Sequence, residues 1–233
     1  MRTAILIDGG FYRKVTNDFR RGMSPTESAD NLVEYCRKHL EDGRTQDELY
    51  RIFYYDCPPL GKKLTHPLTK KLVDFSKTEL YKWNTAFLDE MKHQRKVALR
   101  LGFLSETKTN FVLTADAMKK LFNGKIKIDD LTEDDFIPDI KQKGVDMKIG
   151  VDISSLAYKK QVDRIILIAG DSDFVPASKL ARREGIDFIL DPMWRHINPN
   201  LYEHIDGLRT KFPKPAQSSS NAKGAVTAKP ATK

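Results

Sequence analysis

No apolar run in the chain approaches the roughly 20 residues that a membrane-spanning helix requires. The opening MRTAILIDGG offers only the apolar stretch 4–7 before a charge, too short for a secretory signal, so the expectation is a cytoplasmic protein. Cysteine is scarce: Cys36 and Cys57 show no CxxC spacing and have no histidine pair nearby. A zinc site or disulfide framework is therefore not expected, and both thiols read as buried. The histidines (His39, His66, His93, His196 and His204) are scattered without ligand-like spacing. No G-x-G-x-x-G follows a strand and no G-x-x-x-x-G-K-[ST] occurs, so dinucleotide and P-loop chemistry lack their phosphate cradles. A G-x-S-x-G elbow is also missing, and Ser172 has no evident histidine base, which argues against serine hydrolysis.

What is present suffices for one sizeable domain. The 233 residues are 40% hydrophobic and 9% aromatic, enough for a packed core. The net charge of +8 is unevenly spread, because residues 211–233 carry five lysines and no acid. Removing these from the total leaves +3 for residues 1–210. The segment 211–233, KFPKPAQSSSNAKGAVTAKPATK, is rich in Pro, Ala, Ser and Lys without periodicity, and is expected to be a disordered basic tail.

Four short apolar runs, AILI (4–7), RIFYY (51–55), RIILIA (164–169) and DFIL (187–190), read as strands. They are continuous rather than alternating, as expected of a parallel sheet covered by helices on both faces. Helical spacing recurs between them, over 28–40, 144–160 and 174–185, the last ending at Gly185 as a C-cap. The alternation predicts an open α/β sheet. It is interrupted over about 60–125, where THPLTKKLVDFSKTELYKWNTAFLDEMKHQRKVALRLG reads as a helical hairpin. There Leu80, Trp83, Phe87 and Met91 form one stripe, and Lys92, Lys96 and Arg100 another. FLSE and NFVLT, which follow, suggest a small β element.

In an open α/β sheet the strand C-termini and the N-termini of the adjoining helices share one edge, where ligands bind. Asp8 ends the first strand; Asp171 and Asp173 follow the strand RIILIA. Asp146 lies in the first turn of the helix leading into that strand, which places it at the same edge. Four carboxylates from three distant segments should thus converge, and left empty such a cluster repels itself. Mg²⁺ or Mn²⁺ would relieve it, and a pair of such ions suits phosphodiester hydrolysis. Asp152, about 120° around the helix from Asp146, either reaches the site from the flank or faces water. Taken singly, each aspartate also has a duller reading: Asp171 or Asp173 as a helix N-cap, Asp8 as a turn residue, Asp146 as a partner of the helix dipole.

The blocks ILIDGG, RIFYYDCPP, VALRLG, QKGVDMKIGVDISSLA and IILIAGDSDFVPASKLARREG together resemble the NYN domains of the LabA-like group, within the PIN-like metal-dependent nuclease superfamily. The resemblance spans residues 1–190. It implies a PIN-like, Rossmann-like parallel sheet sandwiched by helices, here with a helical insertion at about 60–125. It further implies ribonuclease activity at an acidic Mg²⁺/Mn²⁺ site, with RNA rather than DNA as the expected nucleic-acid partner. Asp8, Asp146, Asp171 and Asp173 fall on the family's acidic positions, and Asp152 matches as a further metal ligand. One departure is visible: many relatives have asparagine in a D-x-x-N pattern where this chain has DGGFYRK, with Phe11 unable to ligate a metal. Arg13, Lys92, Arg95, Lys96 and Arg100 are the expected nucleic-acid contacts, with Lys62, Lys63, Lys70 and Lys71 extending that surface. Two other classes compete with a nuclease: a non-catalytic nucleic-acid-binding or regulatory module that keeps the acidic cleft, and a Toprim-like phosphotransfer domain. The latter requires a glutamate after its first strand, where this chain has Asp8 and two glycines.

Overall fold

Residues Ala4–Ile7 are fully buried, and an apolar run with both faces covered has one stable place, the middle of a sheet. The computed structural model describes residues 1–41, 46–105 and 109–214. The chain begins with β1 (Arg2–Asp8), α1 (Gly9–Thr16), α2 (Pro25–Lys38) and β2 (Glu48–Asp56). A hairpin of β3 (Lys63–Thr65) and β4 (Leu72–Asp74) leads to α3 (Glu79–His93) and β5 (Val97–Leu101). An excursion follows, made of β6 (Phe103–Leu104), β7 (Phe111–Leu113), α4 (Ala115–Phe122), β8 (Phe136–Pro138) and β9 (Gln142–Lys143). The last part holds α5 (Val145–Tyr158), β10 (Arg164–Ile168), α6 (Val175–Arg183), β11 (Asp187–Asp191), α7 (Pro199–Tyr202) and β12 (Gly207–Leu208).

Six of these strands form one parallel sheet in the order β12-β11-β10-β1-β2-β5. Alternate side chains of β1, β2 and β10 enter opposite cores. Leu6, Phe53, Tyr55 and Leu167 pack with Ile149, Ile153 and Phe174 on the α5–α6 face. Ile5, Ile7, Tyr54 and Ile166 pack with Leu32, Cys36, Phe87 and Met91 on the α2–α3 face. Each fully buried side chain of this kind stabilises by about 1.5–3 kcal/mol. The fold is the expected PIN-like α/β arrangement.

The reading of 65–102 as a helical hairpin is corrected. α3 ends at His93, and Lys96 takes a left-handed φ of 62°. Val97–Leu101 then pairs with β2 as the edge strand of the main sheet, Ile52 opposite Val97. Lys92, Lys96 and Arg100 therefore do not share a helical face. α3 is a crossover helix of the main sheet rather than part of an insertion. Leu80 points to solvent, whereas Phe87 and Met91 are buried. Both cysteines are buried and free. Phe212 packs on Phe19 and Tyr35, while most of the expected tail, residues 215–233, lies outside the described residues. No described helix is long and apolar enough to cross a membrane.

Candidate active site

The two edges of the sheet treat acidic side chains differently. At the N-terminal edge, Asp47 accepts from Thr3 at 2.9 Å and from Arg164 at 2.6 Å, and pairs with the chain's own ammonium at 3.2 Å. Asp187 binds the same guanidinium at 2.6 Å. At the C-terminal edge, Asp8, Asp146, Asp171 and Asp173 form no ion pair among the described residues. This is so in a chain with 40 Lys and Arg residues.

Asp8 ends β1 in extended conformation, and its Oδ1 caps α1 by accepting from the Phe11 N–H at 3.1 Å. Burial raises its pKa to about 6; the Phe11 and Gly10 N–H groups offset part of this, and repulsion from Asp146 and Asp56 adds to it. Gly144, at φ 81°, starts α5 and places Asp146 in its first turn. Burial raises Asp146, and the charges of Asp171 and Asp173 raise it further. Asp171 caps the short turn into α6 by accepting from the Asp173 N–H at 3.1 Å. The cap reading thus holds for Asp171 and not for Asp173. Asp146 thus acts on Asp8, and Asp171 and Asp173 act on Asp146. Among the described residues, however, no three carboxylate, imidazole or thiol groups are gathered closely enough to enclose an ion.

Two cavities flank the cluster. One, of about 580 Å³, is lined by Asp8, Gly10, Phe11, Gly170 and Asp171; the other, of about 670 Å³, by Asp146, Met147, Val151, Asp173 and Phe174. Gly170 has a steric reason: a Cβ there would lie 2.6 Å from the Phe11 ring. Phe11, the departure from the D-x-x-N pattern, therefore seats its ring on the turn that carries Asp171.

The other expected contacts go elsewhere. Asp152 does not turn toward the cluster; its Oδ2 accepts from the Tyr55 hydroxyl at 2.8 Å and from Arg100 Nε at 3.0 Å. Arg100 is thereby engaged, and its guanidinium also lies over the Phe53 ring at 5.3 Å. Arg13 is held by Asp56 at 2.8 Å and faces Asn84 at 3.5 Å. Tyr12, next to Arg13 on α1, is buried. Lys92 pairs with Asp89 on its own helix, Lys96 donates to the Leu49 carbonyl, and Arg95 is exposed. Because these three precede β5, they lie at the N-terminal edge, about 16 Å of parallel strand from the carboxylates. Sequence spacing had suggested proximity only because β5 was read as helix. Of the second basic group, Lys63 pairs with Asp74 and Lys71 with Glu133.

Asp56 was missed. It ends β2, so the sheet-edge rule that found Asp8 applies to it equally. Burial raises its pKa, with Arg13, the Cys57 N–H and Tyr54 offsetting part of the effect.

These contacts make a separable prediction. An Asp152→Asn protein is expected to lose about 1 kcal/mol or less of stability, because the Asp152–Arg100 pair is half-exposed. Urea denaturation beside the wild type checks this, and a much larger loss would mean that the pair is more strongly held than its exposure allows.

Comparison with known proteins gives one family. The NYN domain model matches residues 72–193, just over half of the chain, covering Asp146, Asp171 and Asp173 but not Asp8. The match reaches the family and not the LabA-like group within it. No curated protein matches the chain. Among solved structures, the crystal structure of a protein of unknown function from Vibrio parahaemolyticus RIMD 2210633 is similar, at 13% identity and a TM-score of 0.43, over 90% of this chain and 92% of that one.

Proposed function

From the premise that this chain belongs to the NYN domain family of the PIN-like superfamily, whose domains are generally nucleases, we propose that it is a divalent-metal-dependent nuclease acting on RNA. The carrying observation is a set of four acids at one sheet edge, two of which, Asp8 and Asp146, are raised in pKa by burial and by neighbouring carboxylates, and none of which has an ion-pair partner among the described residues. Asp8, Asp146 and Asp171 are the residues that would hold Mg²⁺ or Mn²⁺, since hard carboxylate oxygens are the donors these ions prefer. Such an ion, when bound, supplies the positive charge that activates a water and steadies the leaving oxygen of a phosphodiester. Asp173, two residues further, would serve as an additional ligand or accept a hydrogen bond from the attacking water. Asp8 is fixed in direction by its bond from Phe11 N–H and Asp171 by its bond from Asp173 N–H, so both oxygens' orientations come from backbone rather than from flexible partners.

One observation favours the competing reading, a binding module that keeps the cleft: no three described donors are gathered round a point. The two readings separate in one assay. Purified protein is incubated with labelled single-stranded RNA and Mn²⁺ beside an Asp171→Asn variant. Cleavage by the wild type and at least ~100-fold less by the variant is expected. Equal cleavage would defeat the assignment, and calorimetric Mn²⁺ binding without turnover on RNA or DNA would establish the module.

A further inference from the structure

The cavity beside Asp8 and Asp171 is also lined by Lys14, Arg195, His196 and Asn198. Lys14, Arg195 and His196 are exposed. None of them forms a side-chain hydrogen bond or ion pair among the described residues. Cations present to neutralise Asp8 and Asp171 would touch them. Cations that share a cavity with unpaired carboxylates yet stay clear of them leave a gap for a third group, one that presents anionic oxygens to the cations beside the acids.

The chain delivers Arg195 and His196 through a strained turn. Met193 and Trp194 both have left-handed φ, 47° and 65°, a conformation that non-glycine residues hold only when their surroundings over-determine it. The surroundings do. The Met193 N–H donates to Asp191 Oδ1 at 2.8 Å, and Asp191 is itself fully buried with bonds to Tyr35 and, at 2.8 Å, His39. Trp194 Nε1 donates to the Phe212 carbonyl at 2.7 Å, and the Arg195 N–H to that of Pro192 at 2.8 Å. Arg195 and His196 thus stand on a rigid support at the end of β11, the same sheet edge as the acids. Phe11 adds a half-buried aromatic face in the same cavity, backed by Gly170.

We infer that this cavity is the binding subsite for a single-stranded RNA segment on one side of the scissile phosphate, with Lys14 and Arg195 contacting backbone phosphates and Phe11 stacking on a base. His196 and Asn198 line the same wall as additional hydrogen-bonding groups. Phosphate contacts supply salt-dependent affinity and aromatic stacking a sequence-tolerant part. The subsite rests on the nuclease reading for the identity of its ligand, but its test does not need turnover.

The test measures binding of a fluorescein-labelled oligouridine to full-length Asp171→Asn protein by anisotropy across a salt series. Adding Lys14→Ala and Arg195→Ala together is expected to raise Kd about tenfold or more. The slope of log Kd against log salt should fall by about 1.4, the loss of two single-strand phosphate contacts. Phe11→Leu is expected to raise Kd about fivefold with the slope unchanged, as stacking is uncharged. Lys92→Ala with Arg95→Ala, at the far edge, should change neither quantity. Unchanged Kd and slope in the Lys14/Arg195 protein, or the same loss in the Lys92/Arg95 protein, would overturn the subsite. Failure of the nuclease reading is seen separately, as absent or equal cleavage by wild-type and Asp171→Asn proteins.

Discussion

Replacing Asp8 by asparagine is expected to remove cleavage, by at least ~100-fold, and at the same time to raise the melting temperature of the metal-free protein. Burial, with repulsion from Asp146 and Asp56, holds the Asp8 pKa at about 6 against an ordinary 3.8. Between those values the folded state binds the proton more tightly than the unfolded chain does. The destabilisation is therefore complete above pH 6 and fades as pH falls toward 4. The size is on the order of 1–3 kcal/mol, or roughly 3–9 °C for a domain of this length. Asparagine keeps the cap on α1, because its amide oxygen accepts from the Phe11 N–H as the carboxylate does. Mn²⁺ reverses the order: at about a hundredfold over its Kd it stabilises the wild type by roughly 2.7 kcal/mol and leaves the variant nearly unmoved. Melting curves with and without Mn²⁺ at pH 7.5 and pH 5 read all of this. A variant that melts below the wild type without metal would refute the electrostatic account of the cluster.

The second large effect is steric. Gly9→Ala is expected to destabilise the fold by about 3 kcal/mol or more, enough to lower the melting temperature by roughly 10 °C. A Cβ at this position would lie 2.6 Å from the Tyr55 carbonyl oxygen and 2.7 Å from the ring and hydroxyl of Tyr54. Neither neighbour can give way. The β2 backbone is paired on both sides, by β1 and β5, and the Tyr54 ring is fully buried with its hydroxyl on Asp56 at 3.1 Å. Gly10→Ala is the matched control. There the nearest atoms are the ends of two side chains, Asp8 Oδ1 at 3.3 Å and Gln142 Oε1 at 3.6 Å, and alanine is the better helix former. Urea denaturation should place Gly10→Ala within about 1 kcal/mol of wild type. Equal stability of the two variants would mean that α1 is not held against β2 as tightly as the distances require.

The pair of glycines also illustrates what a sequence hides. ILIDGG announces a strand followed by a turn, but only the position of Tyr54 and Tyr55 on the neighbouring strand makes the first glycine obligatory and the second dispensable. The four main strands and the α2, α5 and α6 helices were legible because burial on both faces leaves a continuous apolar run that no other element explains. β5 was not. VALRL has no periodicity of its own over five residues, and the preceding α3 pattern continued into it on paper. What ends the helix is the extended backbone at Gln94, followed by a left-handed turn at Lys96, and what makes the strand is the open edge of β2. The misplacement of Lys92, Lys96 and Arg100 follows from that single error.

The acids divide in the same way. The position of Asp8, Asp146, Asp171 and Asp173 at one sheet edge was legible because the rule that strand ends and helix starts share an edge depends only on connectivity, which sequence order supplies. Asp152 could not be decided, since two directions on a helix flank differ only by which partners wait there; Tyr55 and Arg100, from β2 and β5, settled it. Lys14, Arg195 and His196 carried no signal at all, because 14 and 195 meet only after β1 and β11 are brought to the same edge of the sheet. Periodicity and connectivity are local properties of a chain, so the sequence alone determined the layered α/β fold and the edge where charge collects. Which cations answer that charge is a question of distance between remote segments, and distance exists only once the sheet has formed.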